Sequence, residues 1–224
     1  MKLYCDPIST SSRPVMMLVA DFGLDVDLVV IDLFQNAHQA PAFLALNPLG
    51  TVPVLVDDDF VLTESTAILK YLARRFELAV YPQDPIDQIR VDEATARFST
   101  AFFGYHCLFG TYPRMLPQLA WMADTTKAEM AAVGAHGSQR YLAVLDRQLA
   151  DRGPYVCGAE VSVADYVGFA AITLADFVAF DFAPYPEVRA WIARMQGRDG
   201  WAAAYAGFTG MMAAAHLENA GDAA

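Results

Sequence analysis

Short apolar runs alternate with amphipathic stretches over residues 1–80, and this alternation predicts a mixed α/β unit. Runs of apolar and β-branched residues predict strands at residues 1–5, 26–33, 53–56 and 60–62. The run at 26–33 is rich in valine and is expected to be a buried strand. Apolar residues at helical spacing predict helices at residues 13–22, 41–46 and 63–76.

The order of these elements, β-α-β-α-β-β-α, matches a thioredoxin-like layer. A polar segment containing prolines follows, and beyond it the strand signals disappear while long amphipathic patterns continue. We therefore predict an α/β plus all-α fold class, with a thioredoxin-like domain at residues 1–80, a linker at 81–87 and an all-helical domain at 88–224. The later helices are predicted at residues 86–116, 125–149, 163–177 and 186–195, before an alanine-rich stretch. Ser162 and Asp165 form the pattern of a capping box at the start of the third of them.

Composition and charge narrow the possible functions. Hydrophobic residues make up 55% of the 224 residues, so the chain is expected to fold as a globule. The formal net charge of −11 argues against nucleic acid and anionic membranes as partners, and it requires local donors for any anionic ligand.

The chain opens without a basic leader and has no apolar stretch of about 18 residues, so we expect a cytoplasmic protein. The three cysteines show no spacing typical of a metal site or a redox pair.

A cluster of hydroxyl residues joins the first predicted strand to the first predicted helix, in the sequence Pro7-Ile8-Ser9-Thr10-Ser11-Ser12-Arg13. A helix N-terminus offers unpaired N–H groups and the positive end of the helix dipole, which favour an anion. A hydroxyl at this point can donate a hydrogen bond to a thiolate. Serines here also serve as ordinary helix caps, and the turn alone does not distinguish the two roles.

A set of motifs, in order along the chain, resembles one family. The motifs are Ser9-x-x-x-Arg13, Asp32-Leu33, His38, Asn47-Pro48-x-x-x-Val52-Pro53, Thr63-Glu64-Ser65-x-Ala67-Ile68 and Arg90-Val91-Asp92-Glu93. In this pattern the chain resembles the cytosolic glutathione transferases and is most similar to their serine-type theta and delta classes. The resemblance implies a homodimeric enzyme that joins the sulfur of glutathione, its co-substrate, to small apolar electrophiles.

The resemblance implies a catalytic role for Ser9, whose hydroxyl would donate to the glutathione thiolate without any metal ion. Tyr4, Ser11 and Ser12 remain alternative donors. A thiol–disulfide oxidoreductase is disfavoured, because the spacing from Ser9 to Ser12 stands where redox-active relatives of this layer carry C-x-x-C. Cys5 lies ahead of that position and is expected to be packed in the core.

The resemblance also implies a set of glutathione contacts, at His38, Thr51, Val52, Pro53, Glu64 and Ser65. A cis Val52–Pro53 bond would present the Val52 backbone to the cysteinyl residue of glutathione. Glu64 and Ser65 would hold the γ-glutamyl group at a helix start, and His38 would lie near the glycyl carboxylate. The chain departs from the family at Gly50 and Thr51, where theta and delta enzymes usually carry Lys or His, so weak glutathione binding is expected.

An electrophile pocket is expected between the thioredoxin-like layer and the helical domain. Its candidate residues are aromatic side chains and a methionine, namely Phe102, Tyr105, His106, Tyr112, Phe208 and Met211. Core packing is the alternative role for most of them. Two other functions stay open: a specialised glutathione-dependent dehalogenase or ether-cleaving lyase, and a non-enzymatic binding module of glutathione-transferase type.

Overall fold

The computed structural model describes residues 1–178 and 180–221, with side chains described as far as Met212. The chain forms two compact units. The first contains Met1–Glu77 together with the segment from Gln196 onward, and the second is Leu78–Met195. The C-terminal segment, which belongs by sequence order to the predicted helical domain, therefore packs with the first unit.

The sheet of the first unit consists of β1 at Lys2–Cys5, β2 at Asp27–Val30, β3 at Val54–Asp57 and β4 at Phe60–Thr63. The order in space is β2-β1-β3-β4. β2 is parallel to β1, whereas β3 is antiparallel to both β1 and β4. This mixed sheet confirms the predicted thioredoxin-like layer.

The second strand differs from its prediction. A buried strand was expected at residues 26–33, but β2 is shorter, and Leu28 and Val30 are 45% and 62% exposed. The expected burial was wrong because β2 lies at the edge of the sheet, where fewer elements cover its side chains.

The helices of the first unit are α1 at Arg13–Asp21, α2 at Pro41–Leu44, α3 at Ser65–Arg75 and α9 at Gly200–Gly221. α1 is buried over most of its length because an apolar stripe through Val15, Leu18 and Val19 faces the core. The carboxylate of Asp21 at the end of α1 receives two bonds of 2.6 Å, one from the Gly200 N–H and one from the Arg198 guanidinium. These bonds attach the start of α9 to α1.

The helices of the second unit are α4 at Pro85–Arg97, α5 at Tyr112–Met115, α6 at Asp124–Arg152, α7 at Val163–Ile172 and α8 at Pro186–Gln196. The predicted helix at 86–116 is helical as far as Met115, but its middle, at Phe98–Phe102 and Gly104–Thr111, has the wide turns of a π-helix. The predicted capping box is present, with Ser162 and Asp165 bonding each other's backbone at the start of α7.

The segment between the two units packs against the second one. Tyr81 is 5% exposed and donates to the Asp92 carboxylate at 3.1 Å, while the Val80 carbonyl accepts from the Val163 N–H at 2.9 Å. The predicted linker at 81–87 thus begins with a residue that belongs to the helical core. Among the described helices, none combines the length and apolar character that crossing a membrane requires.

Candidate functional site

The sheet register brings separate chain segments together at one edge of the first unit, namely the edge formed by the ends of the strands and not by an outer strand. Cys5 at the end of β1 pairs with Val30 at the end of β2. Val54 at the start of β3 pairs with Tyr4 on one side and with Thr63, at the end of β4, on the other. The segments that follow β1, β2 and β4 and the one that precedes β3 therefore meet at this edge. They contain Ser9, His38, Thr51, Val52, Pro53, Glu64 and Ser65.

Ser9 accepts the hydrogen bonds that close the turn leading into α1, whose N-cap residue is Ser12. The Ser9 carbonyl oxygen accepts from the Ser12 and Arg13 N–H groups, both at 3.1 Å, so the first helical turn begins before Arg13. Its hydroxyl oxygen also accepts from the Ser12 N–H, at 3.2 Å. Since the oxygen is used as an acceptor from the protein, the hydroxyl proton is left to be donated, and the residue is partly exposed.

Asp6 orders the turn around Ser9 and was not singled out from the sequence. Its two carboxylate oxygens accept from the Ile8 N–H and the Leu33 N–H, each at 2.9 Å. Its carbonyl accepts from the Ser9 N–H at 3.0 Å, and its own N–H donates to the Ser12 hydroxyl at 3.2 Å. An Asp-Pro pair directly after a strand was the available signal, since such pairs favour turns.

Two of the alternative donors, Tyr4 and Ser12, and the nearby Cys5 lie in packed or buried surroundings. The Tyr4 ring packs with Phe43 at a centroid distance of 6.3 Å, and Ser12 is fully buried. Cys5 is fully buried as well, and burial, followed by the charge of Asp6, raises the pKa of its thiol to about 12. Cys5 is therefore protonated at neutral pH.

The peptide bond between Val52 and Pro53 is cis, as the resemblance implies. The Val52 side chain packs with Phe43 and Val54. Within the described part of the chain, no hydrogen bond involves the Val52 backbone N–H or C=O. Both groups are therefore available to an extended peptide ligand, which would pair with them as an added strand does.

Asn47, in the Asn-Pro motif, holds the loop that leads to Val52. Its side-chain amide donates to the Thr51 carbonyl at 2.8 Å and to the Thr51 hydroxyl at 2.9 Å. Its side-chain oxygen accepts from the Leu49 N–H at 3.2 Å, and the residue is 2% exposed. The asparagine is thus a structural residue of the loop, and Thr51 remains exposed.

His38 and Gly50 lie side by side, although they belong to different loops. His38 sits in a single 3₁₀ turn, Ala37–Gln39, and Gly50 has a φ of +62°. A Cβ at Gly50 would lie 3.2 Å from the His38 carbonyl oxygen and 2.8 Å from Nε2 of Gln39. Among the described residues, the buried Nδ1 of His38 has no hydrogen-bond partner. The glycine therefore allows the two loops to approach each other at residue 50.

Glu64 has the most unusual backbone conformation of the site. Its φ of +69° and ψ of 112° lie outside the regions that non-glycine residues normally occupy, and its carbonyl accepts the first helical bond of α3 from Ile68 at 3.0 Å. Its side chain makes no capping bond and is exposed. Strained residues of this kind cluster at binding sites, and the N–H groups of Ser65 and the following residues point out of the helix start.

The predicted pocket residues of the second unit separate into two environments. Phe102 and His106 are 1% and 2% exposed and stack on each other at 4.9 Å between centroids. Nδ1 of His106 lies 3.3 Å from the Ser138 hydroxyl, and burial lowers the pKa of His106 to about 4. Its imidazole is therefore uncharged at neutral pH. Tyr105 instead packs over Gly137 of α6, and Tyr112 contacts Phe103 at 5.9 Å.

The predicted pocket residues on α9 belong to the first unit. Phe208 is 1% exposed, and its ring lies against the guanidinium of Arg13. Met211 is partly exposed on the same helix. The burial of Phe208 gives it a packing role, and contact with a substrate remains a prediction. The described residues hold no group of three or more His, Cys, Asp or Glu side chains placed to bind a metal ion.

A thioredoxin-like sheet with backbone donors gathered at one edge, followed by a helical unit, defines the class of protein. Residues 1–74 match the model of the glutathione S-transferase N-terminal domain, and residues 138–194 match that of the C-terminal domain. The chain belongs to the glutathione S-transferase family.

The similar proteins agree with this assignment. Glutathione S-transferase theta-1 of Bos taurus is 31% identical over 89% of this chain and 84% of its own length. A delta-class glutathione transferase from Nilaparvata lugens superposes with a TM-score of 0.79 at 28% identity, covering 95% of this chain and 98% of that one. A homologue from Sulfitobacter, solved with bound glutathione, has a TM-score of 0.74 at 26% identity and covers 90% of this chain and 95% of its own.

Proposed function

We propose that this glutathione transferase conjugates glutathione to small apolar electrophiles and that Ser9 activates the thiol. The observation that carries the proposal is the state of the Ser9 hydroxyl. Its oxygen accepts from the Ser12 N–H, so its proton is available to a ligand at the start of α1. The reaction forms a carbon–sulfur bond, and either a halide leaves or an epoxide C–O bond opens, with water supplying the proton to the oxygen.

The energies involved are sufficient for this mechanism. A free thiol with a pKa of about 8.5 is roughly 3% thiolate at pH 7, and a pKa two units lower makes it about 75% thiolate. That shift corresponds to about 2.7 kcal/mol. A charge-assisted hydrogen bond contributes about 1.5–3 kcal/mol, and a helix N-terminus contributes up to about 1 kcal/mol. The Ser9 hydroxyl supplies the first term, and the N-terminus of α1 beside it supplies the second.

The other segments at the same edge supply the proposed contacts with glutathione. We propose that the Val52 backbone pairs with the cysteinyl residue and that Pro53 in its cis form presents it. Glu64, whose carboxylate is left out of the helix cap, accepts from the γ-glutamyl ammonium group, and Ser65 donates to the adjoining carboxylate. His38 and Thr51 are assigned to the glycyl carboxylate. With no cation beside them in the loop, the affinity for glutathione is expected to be modest.

Substitution of Ser9 by Ala tests the proposed function. We expect kcat/KM with a chloronitrobenzene or an epoxide to fall by about 10- to 100-fold, the loss of one charge-assisted hydrogen bond. The pKa of enzyme-bound glutathione, followed by the ultraviolet absorbance of the thiolate, should rise. Ser11→Ala is the matched control because Ser11 is exposed in the same turn. Unchanged conjugation and thiol pKa in Ser9→Ala would exclude the serine mechanism.

We also propose a homodimer located in the cytoplasm, as the resemblance implies. In the first unit, Phe60 and Val61 on the edge strand β4 are 47% and 41% exposed. An apolar edge strand of this kind is typical of a surface that a partner covers. Sedimentation equilibrium should give a dimer for the wild type and a monomer for Val61→Lys, whereas Phe34→Lys, at an exposed loop position, should remain a dimer. Cell fractionation tests the location.

A further inference from the structure

The peptide group that connects Ile8 to Ser9 is held on both of its edges. Its carbonyl oxygen accepts a bond of 2.8 Å from Nη1 of Arg13, and its N–H donates to the Asp6 carbonyl at 3.0 Å. A peptide group is planar, so two bonds on opposite edges fix the orientation of the plane. The Ser9 hydroxyl is attached one atom beyond this plane. Its direction therefore depends on where the Arg13 guanidinium lies.

Arg13 is itself held by the C-terminal helix. The residue is fully buried, and its guanidinium carbon lies 3.8 Å from the centroid of the Phe208 ring and 5.1 Å from that of Tyr205. Both aromatic residues belong to α9. A guanidinium over the face of a ring is attracted by the ring quadrupole, and the attraction increases when water is excluded. Phe208 therefore keeps the arginine pointed at the Ile8 carbonyl.

A second contact joins α9 to the same turn. A Cβ at Gly207 would lie 2.9 Å from Cβ of Pro7, which is closer than carbon atoms pack. Only glycine allows the helix to approach the proline this closely. The start of α9 is also bound to α1 through Asp21. The helix is therefore anchored at its N-terminal end as well as at Gly207, where it contacts the Ser9 turn.

We infer that Arg13 is a positioning residue for the Ser9 hydroxyl and that α9 sets this position through Phe208 and Gly207. The inference rests on the proposed role of Ser9 in activating the thiol. Arg13 does not touch the reacting atoms. It orients the peptide that carries Ser9, and the C-terminal helix thereby tunes the hydrogen bond to the thiolate.

Two pairs of variants test the inference, with the pKa of bound glutathione as the main measurement. Arg13→Met should raise the thiol pKa by about one unit. At pH 7 this lowers the thiolate fraction from about 75% to about 24%, and it should lower kcat more than it changes KM for glutathione. Arg13→Lys, which keeps a charge and a donor without the planar fork, should recover part of the effect. A purely structural arginine would change stability without moving the thiol pKa.

The second pair places the same chemical change at two positions of α9. Gly207→Ala should raise the thiol pKa because the new methyl group displaces Pro7. Gly210→Ala should leave it unchanged, because a Cβ there meets no described atom within 4 Å. Both substitutions favour the helix by propensity, so helix stability does not separate them. The pair keeps the test valid even where Arg13→Met fails to fold.

The outcomes separate this inference from the proposed function. A raised thiol pKa in Ser9→Ala together with wild-type values in folded Gly207→Ala, and in Arg13→Met where it folds, would overturn the positioning role and leave the Ser9 mechanism intact. A wild-type thiol pKa in Ser9→Ala would overturn the proposed function itself. A raised pKa in Ser9→Ala and Gly207→Ala, with a wild-type value in Gly210→Ala, supports both.

Discussion

The backbone N–H of Ser12 donates to the hydroxyl oxygen of Ser9 across 3.2 Å. This one contact reconciles the two roles that the serine-rich turn allows. The oxygen accepts within the turn that leads into α1, while the proton is left for a ligand, so this structural bond and the proposed thiol activation do not compete. Ser12 itself is fully buried and its hydroxyl accepts from the Asp6 N–H.

Replacing Ser12 by Ala should therefore affect stability and leave activation unchanged. The Asp6 N–H would lose its acceptor in a buried place, which costs about 1–3 kcal/mol of unfolding free energy. The backbone N–H that holds the Ser9 hydroxyl remains, so the pKa of bound glutathione should match the wild type. Urea unfolding and thiolate absorbance measure the two effects. A thiol pKa raised as far as in Ser9→Ala would instead assign the donor role to Ser12.

Gly50→Ala should weaken both the fold and glutathione binding. Alanine at a φ of +62° is strained by about 1–2 kcal/mol, and its Cβ would press on Gln39 and the His38 carbonyl. Gly23→Ala is the control, since Gly23 has a φ of +56° and no described atom lies within 4 Å of a Cβ there. We expect the larger loss of stability at Gly50, together with a raised KM for glutathione. Equal losses and an unchanged KM would show that the contact between the loops has no role.

His106 should make stability depend on pH between about 4 and 6.5. Burial lowers its pKa from the ordinary 6.5 to about 4 in the folded chain. The unfolded chain then binds the proton more readily, so the contribution is complete above pH 6.5 and is lost as the pH falls towards 4. The loss amounts to about 3 kcal/mol.

The pH effect is measured by comparing the wild type with His106→Gln. The carboxylates titrate equally in both proteins, so the difference between their unfolding free energies isolates the histidine. Between pH 7 and pH 4 the wild type should lose more stability than the variant. Parallel curves for the two proteins would contradict the assignment.

Asp165→Ala should cause one of the larger losses of stability in the second unit. The buried carboxylate accepts from the Val156 N–H, the Ser162 N–H and hydroxyl, and Nε1 of Trp191, at distances of 2.8–2.9 Å. Leaving a single buried donor without its acceptor costs about 1–3 kcal/mol, so the total should exceed 3 kcal/mol. Asp165→Asn, which keeps one carbonyl oxygen, should lose less. Urea unfolding followed by tryptophan fluorescence tests this order.

Much of the fold was predictable because its signals are local. The first, third and fourth strands, the capping box of Ser162 and Asp165, and the helix after Glu64 depend on residues within a few positions of each other. These elements appear within one or two residues of their predicted places, whereas β2 is shorter than predicted. The glutathione contacts were proposed from a resemblance carried by motifs. The wide turns at Gly104–Thr111 and the exposure of β2 were not predictable, since apolar spacing does not report hydrogen-bond register or the position of a strand in its sheet.

The amino-acid sequence by itself determined the succession of elements, the family resemblance and the residue types at the site. The tertiary structure decided which groups meet. Strand pairing sets Ser9 and Val52 at one edge, and the close approach of loops requires glycine at residue 50. The stacking of Arg13 on Phe208 joins the two ends of the chain. Such contacts form between segments far apart in sequence, and their geometry follows from packing of the whole unit, which no local pattern encodes.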